Sequence, residues 1–233
     1  MSGLRERRGI DVNLRSSAQM REYQELARAI AAQDPGRLLD WGCGWGQVTK
    51  LLLDAGVDAH PFDYRSDEPA PGRASLERYP EITCTFSPEP VALPFGDADF
   101  DTALSCGVLE HVQDPAASLR ELARVLRPGG RLIVVKLPNR HSYLEWVAKQ
   151  IGLYHHGALP HDTIYTRQAA EEIVRANGFE VTGSRLANML PLTIDHPLFN
   201  RISPLVWTAN RVLERIPLLN RLATNVEVQA IRS

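Results

Sequence analysis

The feature that most limits how this chain can fold is the stretch LLDWGCGWGQVTKLL, residues 38–52. An apolar run ends at Asp40 and Trp41, three glycines follow at every second position, and an amphipathic stretch comes next. This order predicts a β-strand, a tight loop and an α-helix, the unit from which parallel α/β sheets are built. Glycines let a ligand approach the backbone closely, and unpaired N–H groups at the start of the helix can bind its polar part.

Strand and helix patterns alternate along most of the chain. Strands are predicted at residues 37–41, 57–62, 82–86, 99–106, 131–137, 178–184 and 225–231. Helices are predicted at residues 16–33, 47–56, 114–127, 141–153 and 166–177. A loop is expected at 65–73, with a short helix before Pro80 as an option. Regular alternation requires crossover connections, so the sheet should be mostly parallel.

Composition argues against several classes of protein. The formal net charge is -2 at pH 7, which gives no overall basic field, so nucleic acid is not the expected partner. The three cysteines, Cys43, Cys84 and Cys106, form no C-x-x-C pair, which argues against a disulfide framework and favours a reducing cytoplasm. No signal-peptide-like apolar core follows the basic N-terminus and no long apolar run occurs, so neither export nor a transmembrane segment is expected.

The spacing of the glycines narrows the choice of ligand. Gly42, Gly44 and Gly46 follow G-x-G-x-G, whereas dinucleotide-binding loops follow G-x-G-x-x-G. By itself the loop is compatible with a phosphate site, a plain tight turn or a cradle for an amino-acid group. Asp40 favours a ligand with an ammonium group, and Asp63, at the end of the next strand, could accept both hydroxyls of a ribose. Unless Asp63 is an ordinary loop residue, these parts match S-adenosylmethionine.

Three stretches carry a resemblance to a known family. LLDWGCGWGQVTKLL, VALPFGDADFDTALSCGVLEHVQDP and LRELARVLRPGGRLIVV occur in this order between about residues 37 and 138. Together they resemble the class I S-adenosylmethionine-dependent methyltransferases, in particular the type-11 methyltransferase domain. The resemblance implies a Rossmann-like, seven-stranded, mostly parallel sheet with helices on both faces and an antiparallel last strand. It also implies S-adenosylmethionine as the cofactor and methyl transfer as the activity.

The same resemblance assigns cofactor-binding residues. The methionine part of the cofactor would lie among Asp40, Gly42, Cys43, Gly44 and Gly46, with Cys106 also at the site. Asp63 would hold the ribose and Tyr64 would lie against the adenine. Glu89 aligns with the acidic residue near the adenine amino group, although the following Pro90 lacks the backbone N–H that the family usually offers there.

The acceptor chemistry would take place after the fourth strand, because ligands of parallel sheets bind outside the carboxyl ends of the strands. Glu110 and His111 lie there, and in related small-molecule methyltransferases this pair borders the substrate pocket. His111 is the predicted base for a hydroxyl acceptor. The alternative is that Glu110 pairs locally and His111 is a hydrogen-bonded wall residue.

Further polar residues are predicted to line the acceptor pocket. They follow the fifth strand or lie in the next loop: Asn139, His141, Tyr143, His161 and Tyr165. His155, His156 and His161 fall near Asp162, but their spacing matches no standard zinc site, so no metal is predicted. Plain surface exposure is the alternative for this cluster.

The whole chain, residues 1–233, is expected to form a single methyltransferase domain. Residues 1–35 would form an N-terminal helical cap, residues 36–138 the cofactor-binding core and residues 139–233 the acceptor-side half. An apolar helical insertion at about 188–222 precedes the last strand. Its alternatives are a helix packed on the sheet, a lid over the acceptor, contact with a membrane surface and homodimerisation.

The sequence thus favours an S-adenosylmethionine-dependent methyltransferase that acts, most simply at oxygen, on a small-molecule, glycan-like or lipid-linked acceptor. One alternative is a protein that binds the cofactor without turnover. Another is a nucleic-acid methyltransferase, although no Asn-Pro-Pro-Tyr or Asp-Pro-Pro-Tyr motif follows the fourth strand. A nicotinamide-dependent oxidoreductase is disfavoured by the early third glycine.

Overall fold

A computed structural model describes residues 16–64, 79–152, 162–194 and 196–233. The strands are β1 (Arg37–Trp41), β2 (Asp58–Tyr64), β3 (Thr85–Ser87), β4 (Phe100–Cys106), β5 (Leu126–Pro138), β6 (Phe179–Ala187) and β7 (Asn225–Arg232). The helices are α1 (Ser17–Ala31), α2 (Gln47–Asp54), α3 (Pro115–Val125), α4 (Tyr143–Gln150), α5 (Arg167–Ala176), α6 (Pro197–Arg201) and α7 (Ser203–Leu213), with a 3₁₀ helix at Leu219–Leu222. The loop predicted at 65–73 and nearly all of the segment before Pro80 lie outside the described residues.

The seven strands form one sheet in the order β3-β2-β1-β4-β5-β7-β6. Neighbouring strands from β3 to β5 pair in parallel, and β7 pairs antiparallel with both β5 and β6. This topology confirms the predicted fold class, including the antiparallel last strand. The chain moves outward from β1 to β3 and then returns to β4, so the strand order reverses between β1 and β4. A crevice at the carboxyl ends of these two strands is where such sheets bind ligands.

Both faces of the sheet are covered, because alternate residues of each strand point to opposite sides. Leu38 and Leu104 pack with the apolar side of α1 and with α2 in one core cluster. Leu39 and Ala103 belong to the other cluster, which contains residues of α3 and α5. The prediction of helices on both faces is confirmed, and the two-sided burial explains why the central strands are almost continuously apolar.

Among the element boundaries that differ from the sequence prediction are those of the third strand and of the start of β5. The third strand covers Thr85–Ser87 rather than 82–86, and Ile82 is buried just before it. Helix α3 ends at Val125, and Leu126 is already extended and pairs with Phe100. The Pro128-Gly129-Gly130 sequence, expected to stop the helix, therefore lies within the irregular start of β5. Strand pairing with β4 sets the boundary between α3 and β5 and outweighs the turn propensity of the Pro-Gly-Gly sequence.

The predicted helical insertion is present between β6 and β7 and consists of α6, α7 and the 3₁₀ helix. Because β6 runs parallel to β1 and β4, the insertion leaves the sheet at the edge where these strands have their carboxyl ends. It packs against α1 through Ala18, Leu192 and Val206. Among the helices that the structure describes, none is long and apolar enough to span a bilayer.

Candidate functional site

The glycine loop after β1 has an unusual backbone. Gly42, Gly44 and Gly46 have φ angles of 75°, 53° and 76°, in the left-handed region that disfavours side chains. A Cβ atom on Gly42 would lie 2.5 Å from Cγ2 of Val108, so the loop can pass the segment after β4 only as glycine. A Cβ on Gly44 would meet no described atom within 4 Å. The loop is thus packed on one side and open at Gly44.

The loop is fixed to the end of β2. The N–H groups of Gly42 and Cys43 both donate to the carbonyl oxygen of Phe62, at 2.8 and 2.9 Å. The N–H of Gly46 donates to the carbonyl oxygen of Cys43 at 2.9 Å, which closes the turn before α2. These bonds hold the loop beside Asp63, the residue that follows Phe62.

Asp40 lies at the end of β1 and is buried. Burial raises its pKa to about 6, the hydrogen bond from Thr49 lowers it, and the charge of Asp63 raises it. Thr49 Oγ1 donates to Asp40 Oδ2 at 2.6 Å. A buried carboxylate beside a second carboxylate is costly to ionise, and a cation bound next to it would offset that cost.

The residues predicted for the ribose and adenine lie along β2 and after β3. Asp63 is buried and its Oδ1 accepts a hydrogen bond from the N–H of Tyr64 at 2.9 Å, while Tyr64 is partly exposed. Glu89 is exposed, and its N–H donates to Ser87 Oγ at 3.1 Å. The loop between Ser87 and Pro90 is therefore fixed by a side chain of β3 at the same edge of the sheet.

The thiols of Cys43 and Cys106 lie in the same region and are neutral. Cys43 Sγ lies 3.5 Å from Cys84 Sγ, and this contact and burial raise the pKa of the Cys43 thiol. Burial likewise raises the pKa of Cys106, against an opposing effect of Lys136, and the charges of Asp40 and Glu110 add to the rise. Since neighbouring charges act on both thiols, the acidic residues and Cys106 share one electrostatic environment at the carboxyl ends of β1 and β4.

Glu110 and His111 follow β4, as predicted, and are joined by a third residue. His111 Nδ1 lies 2.8 Å from Asp162 Oδ1, and the Asp162 side chain is only 1% exposed. His111 Nε2 lies 3.8 Å from Oε1 of the buried Glu110. The carbonyl oxygen of Glu110 accepts the N–H of Thr163 at 2.8 Å, which fixes the segment that carries Asp162 against the turn after β4.

An ionised carboxylate only accepts hydrogen bonds, so an ionised Asp162 would accept from Nδ1 of His111 and hold the ring in one tautomer. The side chain of His111 is 40% exposed, so the ring is partly accessible at the rim. In the sequence, Asp162 is recognisable only as a member of a histidine-rich loop. Its position 51 residues after His111 gave no local signal of this pairing.

The other predicted acceptor residues occupy different settings. Both amide hydrogens of Asn139 are used, by the carbonyl oxygens of Arg221 at 2.9 Å and Ala223 at 2.7 Å, so an acceptor would have to replace one of these bonds. Tyr165 is buried in the larger core cluster, and burial raises its pKa to about 12. Tyr143 donates through its hydroxyl to the carbonyl oxygen of Met189 at 2.6 Å, and His141 is exposed. His155, His156 and His161 lie outside the described residues.

Helix α1 contributes polar residues that the sequence analysis did not assign. Gln19 and Tyr23 are buried, and Gln19 Nε2 donates to the Tyr23 hydroxyl at 3.4 Å. The ammonium group of Lys136 lies 4.9 Å from the centre of the Tyr23 ring and forms an ion pair with Glu22. The sequence signal for these residues was Gln19, a polar residue on the buried side of an amphipathic helix.

Three buried polar atoms, in α1, at the start of α2 and near the end of β4, have no hydrogen-bond partner among the described residues. They are Gln19 Oε1, Gln47 Oε1 and Ser105 Oγ. Gln47 follows the glycine loop directly, and Ser105 is the second-last residue of β4. Buried polar atoms are almost always satisfied in folded proteins, so Gln47 and Ser105, at the carboxyl ends of β1 and β4, are candidates for binding a polar ligand.

Comparison with known proteins shows a family and several relatives, two of which follow. A family model described as a methyltransferase domain matches residues 14–183. A probable S-adenosylmethionine-dependent methyltransferase of Mycolicibacterium smegmatis is 33% identical over 161 residues, which cover 68% of this chain and 56% of that protein. A demethylmenaquinone methyltransferase of Renibacterium salmoninarum is 30% identical over 143 residues, which cover 58% of this chain and 59% of that protein. The matches thus span little more than half the length of these relatives.

A solved structure agrees with the fold. The Burkholderia thailandensis 1,6-didemethyltoxoflavin-N1-methyltransferase, crystallised with 1,6-didemethyltoxoflavin and S-adenosylhomocysteine, matches with a TM-score of 0.58 and 22% sequence identity. The match covers 99% of this chain and 85% of that chain. At this identity the likeness applies to the fold alone, and it agrees with the sheet described above.

Proposed function

The chain belongs to the class I S-adenosylmethionine-dependent methyltransferases, and we propose that it transfers the methyl group of this cofactor to a hydroxyl oxygen of a small-molecule acceptor. The observation that carries the choice of acceptor atom is the contact between His111 and the buried carboxylate of Asp162 at the carboxyl end of β4. A relative named for demethylmenaquinone supports a small organic acceptor over nucleic acid.

The residues of the loop region fit the cofactor. The open space at Gly44 can take the methionine part close to the backbone, and the carboxylates of Asp40 and Asp63 favour its ammonium and ribose groups. The buried polar atoms of Gln47 and Ser105 offer further partners. When bound, S-adenosylmethionine supplies an activated methyl group on a positively charged sulfur.

The protein then has to orient the acceptor and take its proton. In this proposal Nδ1 of His111 donates to Asp162, so that Nε2 accepts the proton of the acceptor hydroxyl while its oxygen takes the methyl group and the bond from methyl to sulfur breaks. The resulting imidazolium is stabilised by the carboxylates of Asp162 and Glu110. Asp162 acts through His111 and is a positioning residue.

A hydroxyl acceptor is favoured because it gains most from a base. A neutral amine already carries a nucleophilic lone pair, whereas an alcohol or phenol attacks well only as its proton leaves. The buried carboxylate behind His111 serves a proton transfer and would add little to a nitrogen acceptor. The two rival functions, methylation of nucleic acid and cofactor binding without turnover, give no reason for this pairing.

Methyl-labelled S-adenosylmethionine, incubated with the protein and a whole-cell extract, tests the proposal. We expect calorimetric binding of the cofactor and, by mass spectrometry, a labelled small molecule whose fragments place the methyl group on oxygen. The His111→Ala variant should bind the cofactor and leave the extract unlabelled. Label in the nucleic-acid fraction or on nitrogen would contradict the proposed acceptor, and failure to bind the cofactor would contradict the function as a whole.

A further inference from the structure

The helical insertion exposes large apolar side chains along its whole length. Leu198, Leu205, Val212 and Leu218 are 63%, 72%, 55% and 69% exposed. On α7 the residues Leu205 and Val212 are seven positions apart and so lie on one side of the helix, away from the buried side that holds Val206 and Asn210. The insertion therefore has two apolar sides, and only one of them packs against other residues that the structure describes.

The charges of this segment differ from those of the whole chain. Residues 197–222 contain four arginines and one acidic residue, while the complete sequence has a formal net charge of -2. The arginines are all exposed: Arg201, Arg211, Arg215 and Arg221. The acidic residue, Glu214, is used internally, because its Oε1 accepts the N–H of Asn188 at 2.6 Å and the amide of Asn210 at 3.0 Å.

The insertion is held firmly at the edge of the sheet that carries the candidate site. Asn139, directly after β5, donates to the carbonyl oxygens of Arg221 and Ala223. Ser17 at the start of α1 donates its N–H to Asn200 Oδ1 at 2.9 Å, and Tyr143 donates to Met189. The exposed surface is therefore part of a folded and supported unit whose other side is packed.

We propose that the surface formed by residues 197–222 binds a membrane that contains anionic lipids. Apolar side chains interspersed with arginines are the composition of helices that lie in the plane of a bilayer, with the apolar groups among the acyl chains and the cations at the phosphates. A second copy of the chain suits this surface poorly. A two-fold contact would place the four arginines of one copy against those of the other.

Membrane binding at this edge would bring the candidate site close to the lipid phase, where an apolar acceptor accumulates. This inference goes beyond the proposed methyl transfer and does not depend on it, because vesicle binding is measured without cofactor or acceptor. The proposal can therefore fail while the methyltransferase activity stands, and the reverse also holds.

Flotation with vesicles tests the proposal on the full chain. We expect the protein to float with vesicles of phosphatidylcholine and phosphatidylglycerol at low salt, and to float less with pure phosphatidylcholine or at high salt. Leu205→Glu should weaken the partition coefficient about tenfold, because an exposed leucine that would enter the acyl chains is replaced by a charged residue. Arg215→Glu should weaken it about fivefold or more, since one cation near an anionic surface is lost and an anion is added.

Matched controls come from the opposite edge of the sheet. Leu53→Glu, near the end of α2, and Arg28→Glu, near the end of α1, make the same substitutions at other exposed residues and should float like the wild type. Thermal melts of all four variants show whether they fold. Wild-type protein that stays with the soluble fraction at low salt would overturn the proposal. So would a wild-type dimer that Leu205→Glu converts to a monomer without any change in flotation.

Discussion

The cofactor half and the acceptor half of the candidate site are built in different ways. The centre of the cofactor half is the glycine loop with Asp40 and Thr49, which lie within ten residues of one another and are fixed mainly by backbone bonds. The acceptor half joins His111 to Asp162 across 51 residues and Asn139 to Arg221 across 82. The first half can be recognised from a short sequence, whereas the second exists only once the chain has folded.

The two halves should also respond differently to mutation. Under the proposed function, changes in the loop should act on ground-state binding of the cofactor, because the backbone would approach the ligand there. Changes at His111 or Asp162 should act on the chemical step, because these groups would handle a proton that moves only during reaction. Separate measurements of cofactor affinity and of kcat distinguish a binding effect from a turnover effect.

The largest effect is expected for His111→Ala. Removal of a general base costs a factor of about a hundred to ten thousand in kcat. Cofactor affinity by calorimetry should stay within about twofold of the wild type, since His111 belongs to the acceptor half. The matched control is His196→Ala, which removes an exposed histidine that caps α6 and should keep wild-type kcat. Wild-type turnover in His111→Ala would show that His111 is not the base.

Next in size is the effect of Gly44→Ala on cofactor binding. A Cβ at this position meets no described atom of the protein, so it would occupy the space expected for the methionine part, and affinity should fall about a hundredfold. Gly56→Ala is the matched control, because Gly56 also has a positive φ angle and open space around it but lies after α2. Both variants should lose about 1–2 kcal/mol of unfolding free energy from the left-handed backbone.

Because Gly44→Ala and Gly56→Ala carry the same kind of backbone strain, a difference in cofactor affinity between them reports contact with the ligand. Equal cofactor affinity in the two variants, measured by calorimetry at a temperature where both are folded, would show that the loop does not hold the cofactor as proposed. A large affinity loss in Gly44→Ala alone would place the ligand at this glycine.

The fold was largely predictable because its signals are local. Apolar runs, helical spacing and the Asp114 cap, whose side chain accepts the N–H of Ala117 at 2.8 Å, gave the order of strands and helices correctly. The start of β5 was missed because Pro128-Gly129-Gly130 favours a turn, while pairing with Phe100 and Thr102 draws the segment into the sheet. Long-range pairing outweighs turn propensity there and leaves no trace in a short window of sequence.

The candidate site was predictable only in part. Asp40, Gly42 and Asp63 meet at one edge as expected, since each directly follows or ends a parallel strand. The partner of His111 could not be deduced, because Asp162 lies beyond two further elements and its burial results from the fold. Asn139 and Tyr165 were predicted at the acceptor but lie inside the chain, because an edge position does not determine the direction of a side chain.

An intermediate effect is expected for Asp162→Ala. Loss of a carboxylate that orients a catalytic histidine should lower kcat about tenfold to a hundredfold and leave KM for the acceptor near the wild-type value. Asp162→Glu should recover part of the loss, because its carboxylate can still accept from Nδ1. Asp114→Ala is the control, since it removes a helix cap worth about 1 kcal/mol and touches no site residue. A rise of about tenfold to a hundredfold in KM for the acceptor, with kcat unchanged, would contradict a positioning role for Asp162.

The smallest effect concerns the pH dependence of cofactor binding, which Asp40 should control. Burial raises the pKa of this carboxyl to about 6, with the Thr49 hydrogen bond opposing and Asp63 adding to the rise. For an acid whose pKa is raised in the folded state, the stabilising contribution is complete below the unfolded pKa of about 4 and is lost as the pH rises through about 6.

A cationic ligand favours the ionised carboxylate of Asp40, so affinity for S-adenosylmethionine should rise about tenfold between about pH 5 and about pH 7.5. Binding of the cofactor near pH 6 should release a proton, seen as a calorimetric enthalpy that depends on the buffer.

The Asp40→Asn variant should bind the cofactor more weakly and lose most of this pH dependence. Without ligand, its melting temperature above pH 6 should be higher than that of the wild type. A wild-type affinity that stays flat over this range would mean that Asp40 does not face the cation, and that the two halves of the site differ less than their construction suggests.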